Sequence, residues 1–202
     1  MVSGTYALNG LVPPKGKEWC VDMWNVERML AQAKAAREAG ADVVMAHLHG
    51  GDEYQTSPNA DQTRRAKALA ASPDVDLVFG EHVHVVQPIT TIDGTWVVYG
   101  MGNMVAQHLT DMPRGYEGIT VRFTLSEQSE QVEGKSGRFS VAKCEYIPTM
   151  VTNWRQAGTV RLYPINQALK EGKGDTQRLK VALERTRKAV TLLGKPEGLV
   201  EV

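Results

Sequence analysis

Apolar and polar positions along the chain keep a helix-and-strand rhythm in the first third and a strand rhythm afterwards. Val26, Met29, Leu30, Ala33 and Ala36 fall on one helical face, with Asn25 as N-cap and Gly40 as the stop. Residues 42–48 then form a short, β-branched apolar run, which predicts a buried strand ending at His49-Gly50-Gly51. The pattern repeats. Ser57 as cap and Pro58 in the first turn open a second helix that runs to about Ala71, and Ser72-Pro73-Asp74 turns the chain into a second apolar strand at 75–79. Two such passages in succession predict an α/β layered sheet with parallel neighbours. Ahead of them, 5–10 reads as a strand end running into a turn at Asn9-Gly10.

From Val85 onward the elements are strands. Segments 85–92 and 95–99 flank Asp93-Gly94, a two-residue hairpin signal. Segments 119–125 and 139–147 alternate as strands around a polar loop at 126–137, and 159–162 is a further strand. Leu179, Leu183, Thr186, Val190 and Leu193 hold one side of a basic amphipathic helix opened near Asp175-Thr176. No repeat or linker divides the chain, so the whole is read as a single unit.

Composition changes this picture little. The 202 residues are 42% apolar and 23% charged, as in an ordinary soluble globular domain. A formal net charge of zero argues against nucleic acid or an anionic membrane as the main partner. No apolar run approaches the ~20 residues of a membrane helix. Met1-Val2-Ser3-Gly4-Thr5 lacks the basic start and apolar stretch of a secretory signal. Cys20 and Cys144 make no disulfide framework, and a single bridge between them stays open.

The candidate chemistry lies in the histidines. His49 follows one buried strand, and His82 and His84 follow the next. Carboxyl ends of neighbouring strands are where open α/β sheets place ligands. Imidazole nitrogens suit zinc, iron or manganese-class ions. If His82-Val83-His84 is extended, both rings point to one side and Val83 to the other. A histidine at a sheet end serves equally well as a hydrogen-bonded structural residue, and that alternative stays open for each of the three. His47, inside the strand, is read as structural or supporting, and His108 as a surface loop residue. Glu53 and Tyr54, in the loop after His49, are candidates to orient a ligand or meet substrate. Asn103, beside glycines at a strand end, either reaches the site or is a turn residue.

Three segments resemble the motifs of a known family. His49-Gly50-Gly51-Asp52-Glu53-Tyr54 resembles the His-Trp-Gly-x-Glu-Tyr motif of the bacterial capsule-assembly family linked to poly-γ-glutamate, of CapA or PgsA type. Gly80-Glu81-His82-Val83-His84-Val85-Val86-Gln87-Pro88 is similar to its Gly-x-His-Pro-His-Val-x-Gln-Pro, and 98–104 to its Tyr-Ser-Leu-Gly-Asn-Phe. Gly50, Val83 and Met104 depart from the motifs without removing a ligand. The resemblance implies part of a metallophosphoesterase-like αββα sandwich: helix–strand units, then β-hairpins and a C-terminal helix. It also implies His49, His82 and His84 as metal ligands, a cell-envelope or extracellular setting, and an anionic surface polymer or its synthase complex as partner.

Family members also carry Gly-Asp, Asn-x-Glu and Asn-Asn-His segments, which supply acidic and amide ligands. None precedes Tyr6 here. The chain is therefore expected to be the C-terminal portion of a CapA-like domain, without the ligand-bearing N-terminal part. A divalent ion should be held weakly or not at all, and an exposed sheet edge should favour self-association. Two functions follow. In one, the complete protein is a metal-dependent phosphoesterase or hydrolase acting on a surface polymer, and this chain alone is inactive. In the other, it is a non-catalytic assembly or polymer-binding factor with a structural or vestigial metal site.

Overall fold

The computed structural model describes residues 1–106 and 112–202, apart from the side chains of 154 and 156. The first sheet holds β1 (Val2–Thr5), β2 (Met45–His49), β3 (Leu77–Glu81), β4 (Ile89–Ile92) and β5 (Thr95–Val98) in the order β1-β2-β3-β5-β4. The neighbours from β1 to β5 are parallel, and β4 returns antiparallel on β5. Helices α1 (Val26–Glu38) and α2 (Ala60–Ala70) supply the crossovers into β2 and β3.

The second sheet joins β6 (Glu117–Glu127), β7 (Phe139–Val151) and β8 (Leu162–Pro164) antiparallel, with β9 (Leu199–Glu201) parallel to β7. One turn of helix, α3 (Trp154–Ala157), precedes β8, and α4 (Ile165–Lys170) and α5 (Thr176–Val190) follow it.

Alternation along the strands sets the layers. Ala46, Leu48, Val78 and Val97 face Met29, Ala33, Ala66 and Leu69 of the two crossover helices. The opposite face, with Leu77, Phe79, Trp96 and Val98, meets Ile119, Val121, Cys144 and Tyr146 of the second sheet. A third cluster packs α4 and α5 through Ile165, Leu179 and Leu183 against Met150. The chain is thus an α/β protein in which helices back the first sheet, the two sheets share a core, and the last helices close on β6 and β7.

Several local expectations shift. The second helix begins at Ala60 and not at Ser57, because Asn59 and Gln62 form a reciprocal capping box. Its Asn59 side chain accepts from the Gln62 amide at 2.8 Å, and the Gln62 side chain accepts from the Asn59 amide at 3.0 Å. Asn25 and Asp175 cap α1 and α5 where the sequence placed them. Asp93 and Gly94 make the predicted tight hairpin, both with positive φ, and bring Ile92 opposite Thr95. Both cysteines are free, Cys144 buried and Cys20 exposed, so no bridge joins them. Burial pushes the Cys144 thiol up to about 12.

The loop between β6 and β7 folds back over the first sheet. Lys135 Nζ lies 2.7 Å from Val75 O and 2.7 Å from Thr95 Oγ1, with Ser72 O at 3.2 Å and Ala70 O at 3.4 Å. It thereby serves carbonyls that the end of α2 leaves open. Burial lowers its pKa, while Asp76 opposes that shift. Lys135→Met should destabilise the fold by about 1–3 kcal/mol, since these acceptors lose a charged donor. Urea unfolding measures this, and an unchanged midpoint would refute it.

At the other end of the sequence, Glu201 accepts from Arg187 Nε and Nη2 at 2.7 Å each, from Tyr146 Oη at 2.8 Å and from Asn166 Nδ2 at 3.0 Å. Arg187 above all holds its carboxyl near 2, below an ordinary value of 4.5. Its folded pKa is the lower one, so its stabilisation is complete above about pH 4.5 and is lost as pH falls toward 2. Glu201→Gln should flatten the acid limb of thermal stability across that window. Superimposable wild-type and variant acid profiles would contradict this.

Candidate metal centre

Three parallel strands end at one level. Register places Thr5 beside His49 and His49 beside Glu81, so β1, β2 and β3 deliver their last residues to one rim of the sheet. His82 continues directly from β3. Its ring centroid lies 4.9 Å from that of His49, edge to face, and 6.2 Å from that of His84. The three predicted histidines therefore converge.

Their backbone geometry differs from the sequence expectation. His82-Val83-His84 is not extended: His82 has φ 99° and His84 φ 59°. Tyr54, across the loop, has φ 63°. Left-handed backbone at non-glycine residues costs on the order of 1–3 kcal/mol each and persists only where surroundings enforce it. Here Val83 is buried against Gly100, and its carbonyl accepts from the Tyr54 amide at 2.7 Å. Gln87, fully buried, donates through Nε2 to Gln55 O at 3.0 Å and Ser57 O at 3.2 Å, and accepts from Gln62 Nε2 at 2.9 Å. One amide thus ties both histidine loops to α2.

Hydrogen bonds set the tautomers. Thr5 Oγ1 donates its one hydrogen to Ala7 O at 2.9 Å, so its 2.9 Å contact with His49 Nδ1 is donated by the ring. His49 Nε2 is left as a lone-pair donor. Asn103 Nδ2 donates to Gly115 O at 2.8 Å, and Asn103 Oδ1 accepts from His84 Nδ1 at 2.9 Å. By the same logic His84 carries its ring hydrogen on Nδ1 and its lone pair on Nε2. His82 is packed under the Tyr6 ring at 4.7 Å between centroids, and its buried Nε2 has no hydrogen-bond partner among the described residues. Burial first, then the neighbouring His49, lowers the His82 pKa, with Glu53 opposing.

The other candidates take distinct places. Glu53 Oε1 stands 3.9 Å from His82 Nε2. Tyr54 stacks on His84 with centroids 5.9 Å apart, and burial raises its pKa, aided by Glu53. Asn103 reaches the cluster and fixes His84. Glu81 turns from the cluster toward His47, 3.4 Å away, and His47 itself stacks on Phe79 and meets Ser3 Oγ at 2.8 Å. His47 is thus a residue of the sheet interface. His108 lies outside the described residues. Thr5 and Gln87 were not singled out from sequence. Thr5 becomes visible only through parallel register, whereas Gln87 stood within a quoted motif. Gly50, where the motif has tryptophan, has its side-chain space filled by Trp24, whose Cη2 lies 2.5 Å from where a Cβ would stand.

The donors suit a borderline divalent ion in kind: neutral rings, two with their tautomers fixed by oxygen partners. They do not suit it in number. Among the described residues no group of three or more His, Cys, Asp or Glu is placed to hold a metal ion. A pair of cations also needs carboxylates to offset their repulsion, and among the described residues Glu53 is the one that approaches His82.

Residues 8–108, half of the chain, match the family described as bacterial capsule synthesis protein PGA_cap. The PGA biosynthesis protein CapA of Bacillus subtilis (strain 168) is 36% identical over 113 residues, covering 56% of this chain and 26% of that protein. The capsule biosynthesis protein CapA of Bacillus anthracis is 31% identical over 78 residues, covering 39% of this chain and 19% of that one. The chain thus spans about a quarter or less of the length of these relatives. Among solved structures, a calcineurin-like phosphoesterase, YfkN of Bacillus subtilis, aligns with a TM-score of 0.37 at 19% identity, over 81% of this chain and 45% of that one, a likeness too slight to build on. The family match spans the loops that carry His49, His82, His84 and Asn103, with Thr5 and Tyr6 just ahead of it, and this chain belongs to the bacterial capsule synthesis protein family.

Proposed function

We propose that this chain supplies the imidazole half of a divalent-metal centre in a capsule-biosynthesis protein, and that the complete centre hydrolyses a linkage of an anionic cell-surface polymer. The observation that carries the reading is the convergence of His49, His82 and His84, with Nδ1 of His49 and His84 tied to protein oxygens and Nε2 of His82 buried without a hydrogen-bond partner among the described residues. Such fixed tautomers are what metal-bound histidines require. The relatives' names point to the capsule, which supports, on this reading, an envelope setting and an anionic polymer or its synthase as partner. The acidic ligands would come from polypeptide beyond these residues. The edge of β1, which pairs with β2 alone along Val2–Gly4, is where a further strand or a second copy would join.

On this reading the chain alone binds zinc or manganese weakly and does not turn over a phosphodiester. Isothermal titration with zinc should give weak binding that His82→Ala abolishes, and bis(p-nitrophenyl) phosphate should be hydrolysed at the background rate. Turnover by the chain that disappears in His82→Ala would overturn the incomplete-centre reading.

Asn103→Ala should remove the acceptor that holds His84 Nδ1 and weaken zinc binding by about 10–100-fold, as loss of a residue that orients a ligand does. Unchanged affinity, with the His84 imidazole resonances also unchanged, would show that Asn103 only shapes its turn.

A further inference from the structure

A cavity of about 130 Å³ opens beside the histidine loops. It lies between α5, the start of β6 and the residues that directly follow His84. Its apolar wall is Val85, Val86, Ala189 and Leu192. Its charged wall is Arg114, Arg185 and Lys188, with Glu117 as the one acid. Arg185 Nε bridges both Glu117 oxygens, at 2.9 and 3.1 Å, so that acid is already paired. Burial raises the Glu117 pKa and Arg185 opposes the rise, with Arg114 and Arg178 adding their charge. Once Glu117 and Arg185 are set against each other, Arg114 and Lys188 leave the cavity with an excess of two positive charges. Thr186 also lines it, is 1% exposed, and its hydroxyl has no hydrogen-bond partner among the described residues. A buried hydroxyl without a partner costs stability, so a ligand that accepts its hydrogen would recover that cost.

We propose that this cavity binds a carboxylate at the end of a short aliphatic stem. Arg114 and Lys188 meet the charge, Thr186 Oγ1 donates to one oxygen, and Val85, Val86, Ala189 and Leu192 receive the stem. The volume equals roughly four water molecules at about 30 Å³ each, room for a carboxylate and two or three carbons. A bare phosphate would leave the apolar wall uncovered. The cavity is built from the same loops as the histidine cluster. Gln87 holds Thr56, another lining residue, through the carbonyls on either side of it, and Asn103 binds the carbonyl of Gly115, next to Arg114. A chain end seated here would therefore lie beside the histidines, although binding requires no metal.

The test is titration of the metal-free chain with butyrate, followed by amide chemical shifts. Shifts should centre on Val85, Arg114 and Thr186. Butyramide, the neutral isostere, and inorganic phosphate should bind more weakly. Lys188 and Arg114 are exposed, so Lys188→Ala and Arg114→Ala should fold normally and each weaken butyrate by about tenfold. Thr186→Val should weaken it severalfold while leaving the free protein as stable or more so. The proposal is overturned if butyrate fails to shift these residues at millimolar concentration, if butyramide or phosphate binds as well, or if both cation variants bind as the wild type does.

Discussion

Everything at the candidate centre depends on parallel register. Because β1, β2 and β3 run the same way and finish together, Thr5, His49 and Glu81 arrive in one row, and the chain leaving β3 must cross the rim as it turns. Gly80 makes the crossing possible: a Cβ there would stand 2.2 Å from Tyr99 O. The close approach of β3 to the chain after β5 in turn brings Asn103 back toward His84. An offset of one residue in the pairing would turn His49 to the opposite face of the sheet, away from His82.

The alternation of residues with opposite roles along β2 and β3 follows from the same constraint. Ala46 and Leu48 serve the helices, while His47 and His49 serve the other face. His47 is enclosed by Phe79, Ser3 and Glu81 and becomes part of the sheet interface, whereas His49, one pleat further on, reaches the rim. Identical side chains two residues apart thus acquire different chemistry from depth alone.

Much of this was legible before the structure. Caps at Asn25 and Asp175, the hairpin at Asp93-Gly94 and the order of helices and strands follow from local rules that act over a few residues. The convergence of the histidines was legible because it depends on topology, which the helix–strand alternation announces. The backbone of 82–84 was not. Local preference favours extended chain there, and positive φ at His82 and His84 is imposed by Val83 burying itself and by the Val83–Tyr54 hydrogen bond, both long-range effects. Thr5 escaped notice for the same reason, since its partner is forty-four residues away. The start of α2 was misplaced because Ser57 and Asn59 are both good caps, and only Gln62 distinguishes them.

The two cysteines differ in a way that has practical value. Cys144 sits in the core between the sheets, with its thiol held in the unreactive protonated form. Cys20 is exposed and lies beside Val2 and Ser3, along the open side of the first strand. A maleimide fluorophore would therefore attach at one place without any mutagenesis. It would stand on the short turn Glu18–Cys20, which lines the same hollow as Val2 and Ser3 of β1, the strand at whose edge a neighbour is proposed to pair. Its emission and anisotropy would report the arrival of a neighbouring chain in real time, in a protein whose remaining thiol stays dark.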